Sequence, residues 1–277
     1  KEEALLNFLN TIQKFGGISM NNYIKKLKRQ NIFIKLLQFI FIILLIIIWE
    51  LLAKYNVINS FIFSSPSRII KSTINYLINN NLLYHIGITL KEILIAFILG
   101  TLLSFIFAII MYLFPRFAKF IDPFITIFNS LPKVALGPII IIWVGANTKS
   151  IITMALLINL IVSLSNIYNS FILTDPIKIK LLKSFKASKL QILYHLVIPS
   201  NYKALIATLK INISMTMIGV IMGEFLVSKA GIGYLIMYGT QIFNLDLVMM
   251  GITIILILSY LLYEIIVYIE NIANKRK

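Results

Sequence analysis

The chain has no cysteine, which excludes disulfides, thiolate metal sites and cysteine nucleophiles and leaves the redox compartment unread. Acidic residues are scarce, ten Asp and Glu against 26 Lys and Arg in 277 residues. No paired-carboxylate or Ser–His–Asp arrangement stands out, so nothing reads as an enzyme active site. The two histidines, His85 and His195, lie far apart in the chain. They fall on opposite sides of the expected membrane, so no metal pair is expected, and His195 is expected to pack in a loop. Residues 145–150, Gly-Ala-Asn-Thr-Lys-Ser, end like a phosphate loop but lack the glycine before the lysine and the upstream glycine that cradle phosphates. This stretch does not read as a nucleotide-binding loop.

What the sequence has instead is apolar length. Hydrophobic residues make up 59% and the mean hydropathy is +0.92, beyond the roughly 45–50% apolar usage of soluble domains. A water-soluble fold of this size could not hide that surface, so the chain needs a lipid bilayer. The net charge of +16 invites a nucleic-acid reading, but the cations sit between apolar runs rather than on one face of a soluble domain. No nucleic-acid partner is expected.

A bilayer-crossing helix needs about 20 mainly apolar residues. Six candidates satisfy this: Leu36–Ala53, Ile93–Phe114, Phe120–Val144, Ile151–Leu173, Ala204–Val227 and Leu247–Ile269. The third is interrupted by Asn129-Ser130-Leu131-Pro132-Lys133 and by Gly137-Pro138. The fold class is therefore all-α and polytopic. With both termini in the cytoplasm, the inner segments from residue 20 onward hold sixteen Lys and Arg and the outer segments six. That is the asymmetry expected of a cytoplasmic membrane protein with an even number of spans. Residues 1–19, which begin at Lys1 rather than Met, are expected to be a leader or non-native extension, followed by a basic segment at 20–35. The permeating domain spans 36–269 and the basic tail 270–277. Ser65-Pro66 reads as a helix start, placing a short helix at Ser67–Ile78 near the outer surface.

The one long polar connection after the N-terminus is Thr174–Lys203. Asp175-Pro176 signals a cap and first turn. On a helix Leu181, Leu182 and Phe185 fall on one side while Lys180, Lys183 and Lys186 step around the other. Such a segment either rests on anionic lipid or docks a cytoplasmic partner.

The run from Lys180 to Ser188, followed by Leu196-Val197-Ile198-Pro199, resembles the cytoplasmic "EAA" loop of binding-protein-dependent ABC permeases. Phe63-Ser64-Ser65-Pro66, Asp122-Pro123, Leu131–Pro138, Trp143-Val144-Gly145, Gly223-Glu224 and Gly231-Ile232-Gly233 resemble, in that order, segments of the nitrate, sulfonate, taurine and thiamine-precursor branch. The resemblance covers about Leu36 to Ile269. It implies a permease subunit that performs no chemistry and binds no cofactor itself. Two copies would form the pathway, a binding protein would deliver solute outside, and partner ATPase subunits carrying ATP and Mg would drive transport. It also implies that Leu181, Leu182, Phe185, Lys186, Ala187, Ser188 and Pro199 couple to the ATPase. Lys186 stands where the family has Gly, which implies either an ordinary helix at this turn or a different coupling contact.

Polar residues inside the spans, with Pro132 at the break in the third, are the candidate pathway: Asn129, Ser130, Pro132, Asn159, Ser163, Asn212 and Thr216. The alternative for each is plain interhelical hydrogen bonding. Glu224 is either part of a gate near the outer mouth or a solvated group one turn from the Gly231 loop. An ATP-independent transporter or channel would need buried titratable groups, and only Glu224 qualifies. A scaffold subunit would need few polar residues in its spans, whereas the third to fifth have many. The absence of an Arg or Lys ring within the spans favours a neutral or zwitterionic solute.

Overall fold

The computed structural model describes residues 29–30, 32–34 and 36–275. The expected leader at 1–19, most of the basic segment at 20–35 and the last two residues of the tail lie outside the described residues. The described residues fall into two compact units, one up to Ser67 and one from Arg68 onward.

In the first unit α1 spans Ile32–Lys54. Its centre has no polar side chain, and in lipid only a helix satisfies such a backbone from within. A four-residue helix, α2 at Ser60–Phe63, follows, with the Asn59 side chain accepting the Phe61 amide at 2.9 Å. Glu50 closes the unit by accepting from the amide of Ser67 at 2.9 Å and its hydroxyl at 2.8 Å. This carboxylate satisfies an orphan donor of the helix that starts there.

That helix, α3 at Pro66–Asn79, leads into the second unit. There α4 runs over Leu82–Leu113, 32 residues or about 48 Å at the helical rise. It begins eleven residues before the expected span at Ile93. Its first turns carry His85, Lys91 and Glu92, which a count of apolar residues rejects but a helix longer than the bilayer accommodates. α5 (Pro115–Ser130) stops because Pro132 holds Leu131 extended at φ −69°, ψ 139°. The chain then makes a 3₁₀ turn, Lys133–Leu136, and resumes as α6 (Gly137–Val144), bent by 90° from α5. The third span is thus a broken one, as its sequence interruptions predict.

α7 covers Thr148–Ile172 and α11 covers Tyr202–Val227; between them lie the short helices of the 174–203 loop. α12 (Ile232–Gln241) and α13 (Leu245–Lys275) complete the chain. α12 is not among the sequence expectations. Five described helices are long and apolar enough to cross a membrane, six if the bent pair counts as one, and no strand occurs among the described residues.

α4, α7 and α11 pack as a trio. Gly219 and Gly223, one turn apart on α11, let it approach α7 so closely that a Cβ on Gly219 would lie 2.4 Å from the Ala155 Cα. A Cβ on Gly223 would lie 2.9 Å from the Ile151 Cα. Lipid supplies no hydrophobic drive between helices, so such small-residue faces provide the packing that holds them. On α13 the buried residues Leu247, Met250, Ile254, Leu258, Leu262 and Ile266 recur every three or four positions, the stripe of a one-sided helix.

Candidate functional site

The 174–203 loop is built from caps. The Asp175 carboxylate accepts the Ile177 amide at 2.8 Å and Pro176 fills the first turn of α8 (Pro176–Ser184). The helix ends at a left-handed residue: Lys186 has φ +57°. The amide of Lys186 donates to the Lys183 carbonyl at 2.9 Å and that of Ala187 to the Leu182 carbonyl at 3.1 Å. This is a Schellman-type ending, with Leu182 and Ala187 as its apolar contact pair. Of the two possibilities for Lys186, an ordinary helix is therefore not what forms. The lysine adopts the conformation glycine favours.

Ser188 then starts α9 (Lys189–Ile192) with a capping box. Its hydroxyl accepts the Gln191 amide at 3.3 Å, and its own amide donates to Gln191 Oε1 at 2.7 Å. The helix widens into a π turn over Leu193–Val197 before α10 (Ile198–Ser200). Pro199 lacks an N–H and its ring crowds the carbonyl four residues back; the wider turn relieves that clash. The Asn201 side chain donates to the Thr174 hydroxyl at 2.7 Å and to the Val197 carbonyl at 2.9 Å, closing the loop. His195 is exposed, edge-on to Tyr194, rather than packed in the loop as expected.

The two faces of this loop differ sharply. Ile192, Leu193 and Val197 are buried in a core with Ala108 and Met111 of α4, Ala118 and Ile125 of α5, and Leu164, Ile167 and Phe171 of α7. Ile179, Leu182 and Ala187 pack against the same core. Phe171 is fully buried, with Phe105 and Tyr112 edge-on to it. Outward, Ile177, Leu181 and Phe185 form a stripe, 75%, 56% and 74% exposed. The structure therefore parts the trio expected on one face: Leu181 and Phe185 point out, Leu182 points in, and Ile177 takes its place. Ser188 and Pro199 are exposed.

The candidate pathway residues separate into three places. Asn159, Ser163, Asn212 and Thr216 come together, fully buried among α4, α7 and α11. Asn159 Nδ2 donates to Thr216 Oγ1 at 2.7 Å, and Asn212 Nδ2 to Thr101 Oγ1 at 3.1 Å. The Ser163 hydroxyl lies between Asn159 Oδ1, at 2.8 Å, and Asn212 Oδ1. Ser104 extends this ladder by donating to the carbonyls of Gly100 and Leu160. Asn129, Ser130 and Pro132 sit exposed at the α5–α6 break, where Ser130 donates to the Ile127 carbonyl at 2.8 Å.

Glu224 lies at the end of the bundle opposite the loop. It is 1% exposed, so the solvated reading does not hold. It accepts from the Thr89 hydroxyl at 2.6 Å and from the Gly233 amide at 2.5 Å. Thr89 in turn accepts the Ile232 amide at 2.8 Å, and His85 Nδ1 the Gly231 amide at 3.0 Å. Gly231, at φ +114°, leaves no room for a side chain: a Cβ there would lie 2.4 Å from the Glu224 carboxyl carbon. Sequence reading missed Thr89 and Glu92 because they precede the expected start of their span. Their i, i+3 spacing on a helix was the available signal. Among the described residues no cluster of three or more His, Asp or Glu could hold a metal ion.

The comparisons with known proteins agree with the motifs. Residues 100–271 match the family described as the binding-protein-dependent transport system inner membrane component. A probable ABC transporter permease protein of Haemophilus influenzae is 27% identical over 83% of this chain and 94% of the relative. The formylaminopyrimidine transport permease ThiX of Halalkalibacterium halodurans is 26% identical over 70% of this chain and 77% of its own length. The taurine transport permease TauC of Escherichia coli is 22% identical over 79% and 81%. Among solved structures, an inward-facing form of the MetNI methionine ABC transporter shares the fold, with TM-score 0.59 at 16% identity, over 68% of this chain and 94% of that one. Spans, loop and matched family together establish that this chain belongs to the binding-protein-dependent transport system inner membrane component family, the permease subunits of ABC importers.

Proposed function

We propose that α8 is the handle by which a cytoplasmic ATPase subunit, holding ATP and Mg, moves this permease. The observation that carries this reading is the exposed Ile177–Leu181–Phe185 stripe. Contiguous exposed apolar side chains on a polar loop mark an interaction surface. Behind the stripe, Leu182, Ile179 and Ala187 pack onto a core shared with α4, α5 and α7. A push on the stripe thus reaches three spans at once, through packed side chains rather than a flexible tether.

In this reading the 174–203 loop and both termini face the cytoplasm of a prokaryote, which the basic-residue asymmetry supports. Two copies of the chain form the pathway, and a binding protein delivers solute on the other side. The exposed break at Asn129, Ser130 and Pro132 lines the pathway, since irregular backbone at membrane depth is tolerated where it faces water or protein. The buried Asn159–Ser163–Asn212–Thr216 ladder locks the helices that flank it. Leu181, Phe185, Lys186, Ser188 and Pro199 form or border the partner contact. ATP-driven closure of the partner shifts the population between inward- and outward-open states. The solute is a small neutral or zwitterionic molecule of the kind the taurine and formylaminopyrimidine relatives are named for.

Copurification from a tagged chain tests the reading. An ATPase subunit and a binding protein should come with the wild type, and Phe185→Asp should lose the ATPase. Retention of stimulated ATPase activity in that variant overturns the docking role.

A further inference from the structure

Where α4, α7, α11 and α12 meet, two acidic side chains are buried together. Glu92 of α4 is 2% exposed and Glu224 of α11 is 1% exposed. Their carboxyl groups lie within side-chain hydrogen-bonding reach of each other, and Glu92 also reaches the Thr148 hydroxyl at the start of α7. Glu92 Oε2 is buried with no hydrogen-bond partner.

The two groups are not equivalent. Glu224 accepts from the Thr89 hydroxyl, the Gly233 amide and the Tyr234 amide. The last two belong to the first turn of α12, where orphan amides and the helix dipole favour an anion. Every donor aimed at Glu224 suits a carboxylate. Glu92 has no such set of amide donors, and it faces that carboxylate. Two carboxyl oxygens can hydrogen-bond only when one of them carries a proton, and two like charges in contact in a buried site cannot both persist.

The surrounding charges are exposed; Lys91 acts on Glu92 through its charge but forms no ion pair with it. On α4, Lys91 is exposed and His85 has its Nδ1 occupied as an acceptor from Gly231. Lys149 on α7 and Lys229 in the turn after α11 are exposed. α12 presents Tyr234, whose ring stacks on His85. Neither acid takes part in the ion pairs found among the described residues.

We propose that Glu92 and Glu224 share a single proton and act as a proton-operated latch on α12. With the proton in place Glu92 donates to Glu224, and Glu224 holds the first turn of α12 against α4. Without it, two buried carboxylates repel, and the turn that Glu224 anchors is released. Gly231 and Gly233 are packed against Glu224 with no spare volume, their Cβ positions falling 2.4 and 2.7 Å from its atoms. The latch therefore opens as a unit rather than by a side-chain rotation. α12 in turn packs on α13, where a Cβ on Gly251 would lie 2.4 Å from Ile236, so release reaches the last span.

Hydrogen exchange of the α12 amides, measured by mass spectrometry on the purified full chain in lipid nanodiscs, tests this. Work above neutral pH keeps the His85 imidazole neutral, so the acid pair is what titrates. After correction for chemical exchange, wild-type protection over residues 231–239 should fall as pH rises, approaching about tenfold per pH unit, the slope of one linked proton. Glu92→Gln, whose amide donates the same bond without a proton to lose, should flatten that dependence. Infrared spectra should show a protonated-carboxyl stretch in the wild type that Glu92→Gln removes. Wild-type protection that does not vary with pH overturns the proposal without any variant. A Glu92→Gln curve that follows the wild type, or the absence of the infrared band, overturns it as well.

Discussion

The amide of Ala187 donates to the carbonyl of Leu182 at 3.1 Å, wrapping the end of α8 around a left-handed Lys186. On the helix that this bond caps, Leu182 packs on the core while Leu181 and Phe185 face out.

Lys186 holds φ +57° without being glycine, a conformation that costs an L-residue about 1 kcal/mol. Lys186→Gly should stabilise the loop by up to about 1 kcal/mol, less what glycine gains in unfolded-chain entropy. Slower hydrogen exchange over residues 176–190 would show it. Faster exchange in that variant would mean that the lysine side chain contributes a contact worth more than the strain.

Phe185→Asp and Leu182→Asp should fail in different ways, although three residues apart. Phe185 is 74% exposed, so its replacement should leave thermal stability within about 0.5 kcal/mol while reducing ATPase recruitment at least tenfold. Leu182 packs on the core. An unpaired charge there should cost about 2–3 kcal/mol and lower the melting temperature before any coupling is measured.

In the α7–α11 contact Gly219 has no spare volume, while Gly87 on α4 has nothing within 4 Å of its Cβ position. Gly219→Val should cost about 3 kcal/mol or more by forcing the helices apart. Gly87→Ala should stabilise by about 0.5–1 kcal/mol through helix propensity. Denaturation of the pair in mixed micelles compares them directly.

The buried ladder predicts that Asn159→Leu is costlier than Asn129→Leu. Removing the Asn159 amide takes one partner from each of the buried Thr216 and Ser163 hydroxyls, for about 1–2 kcal/mol. Asn129 is exposed, and its replacement should leave stability within about 0.5 kcal/mol. Equal stabilities in the two variants would show that the ladder holds nothing together.

Lys210 of α11 and Glu270 of α13 lie 2.5 Å apart with Tyr263 beneath the ammonium at 5.8 Å. Either Lys210→Glu or Glu270→Lys alone should weaken the α11–α13 contact, and the double exchange should recover most of the loss. A double variant no better than the worse single one would remove the pair from the account.

Six spans, a broken third one and a capped loop at 174–203 follow from the amino-acid order, because lipid demands long apolar helices and because Asp175-Pro176 and Pro132 act on their own neighbours. The family motifs were legible for the same local reason. Burial was not. Asn159, Ser163, Asn212 and Thr216 read equally as pathway or as glue, since one-dimensional spacing does not say which helix faces which. Glu92 was hidden by its charge, which set it outside the span it belongs to. α12 escaped because a ten-residue helix that itself contains Gly233 and Gly239 carries too little periodicity to stand alone, and Glu224 supplies its missing cap from another helix. Local chemistry determined the elements and their ends. Which polar groups met, which acid faced which, and which side of α8 stayed open were decided only when three helices closed on one another, because those are relations between residues distant in the chain, 57 positions for Asn159 and Thr216 and 135 for Thr89 and Glu224.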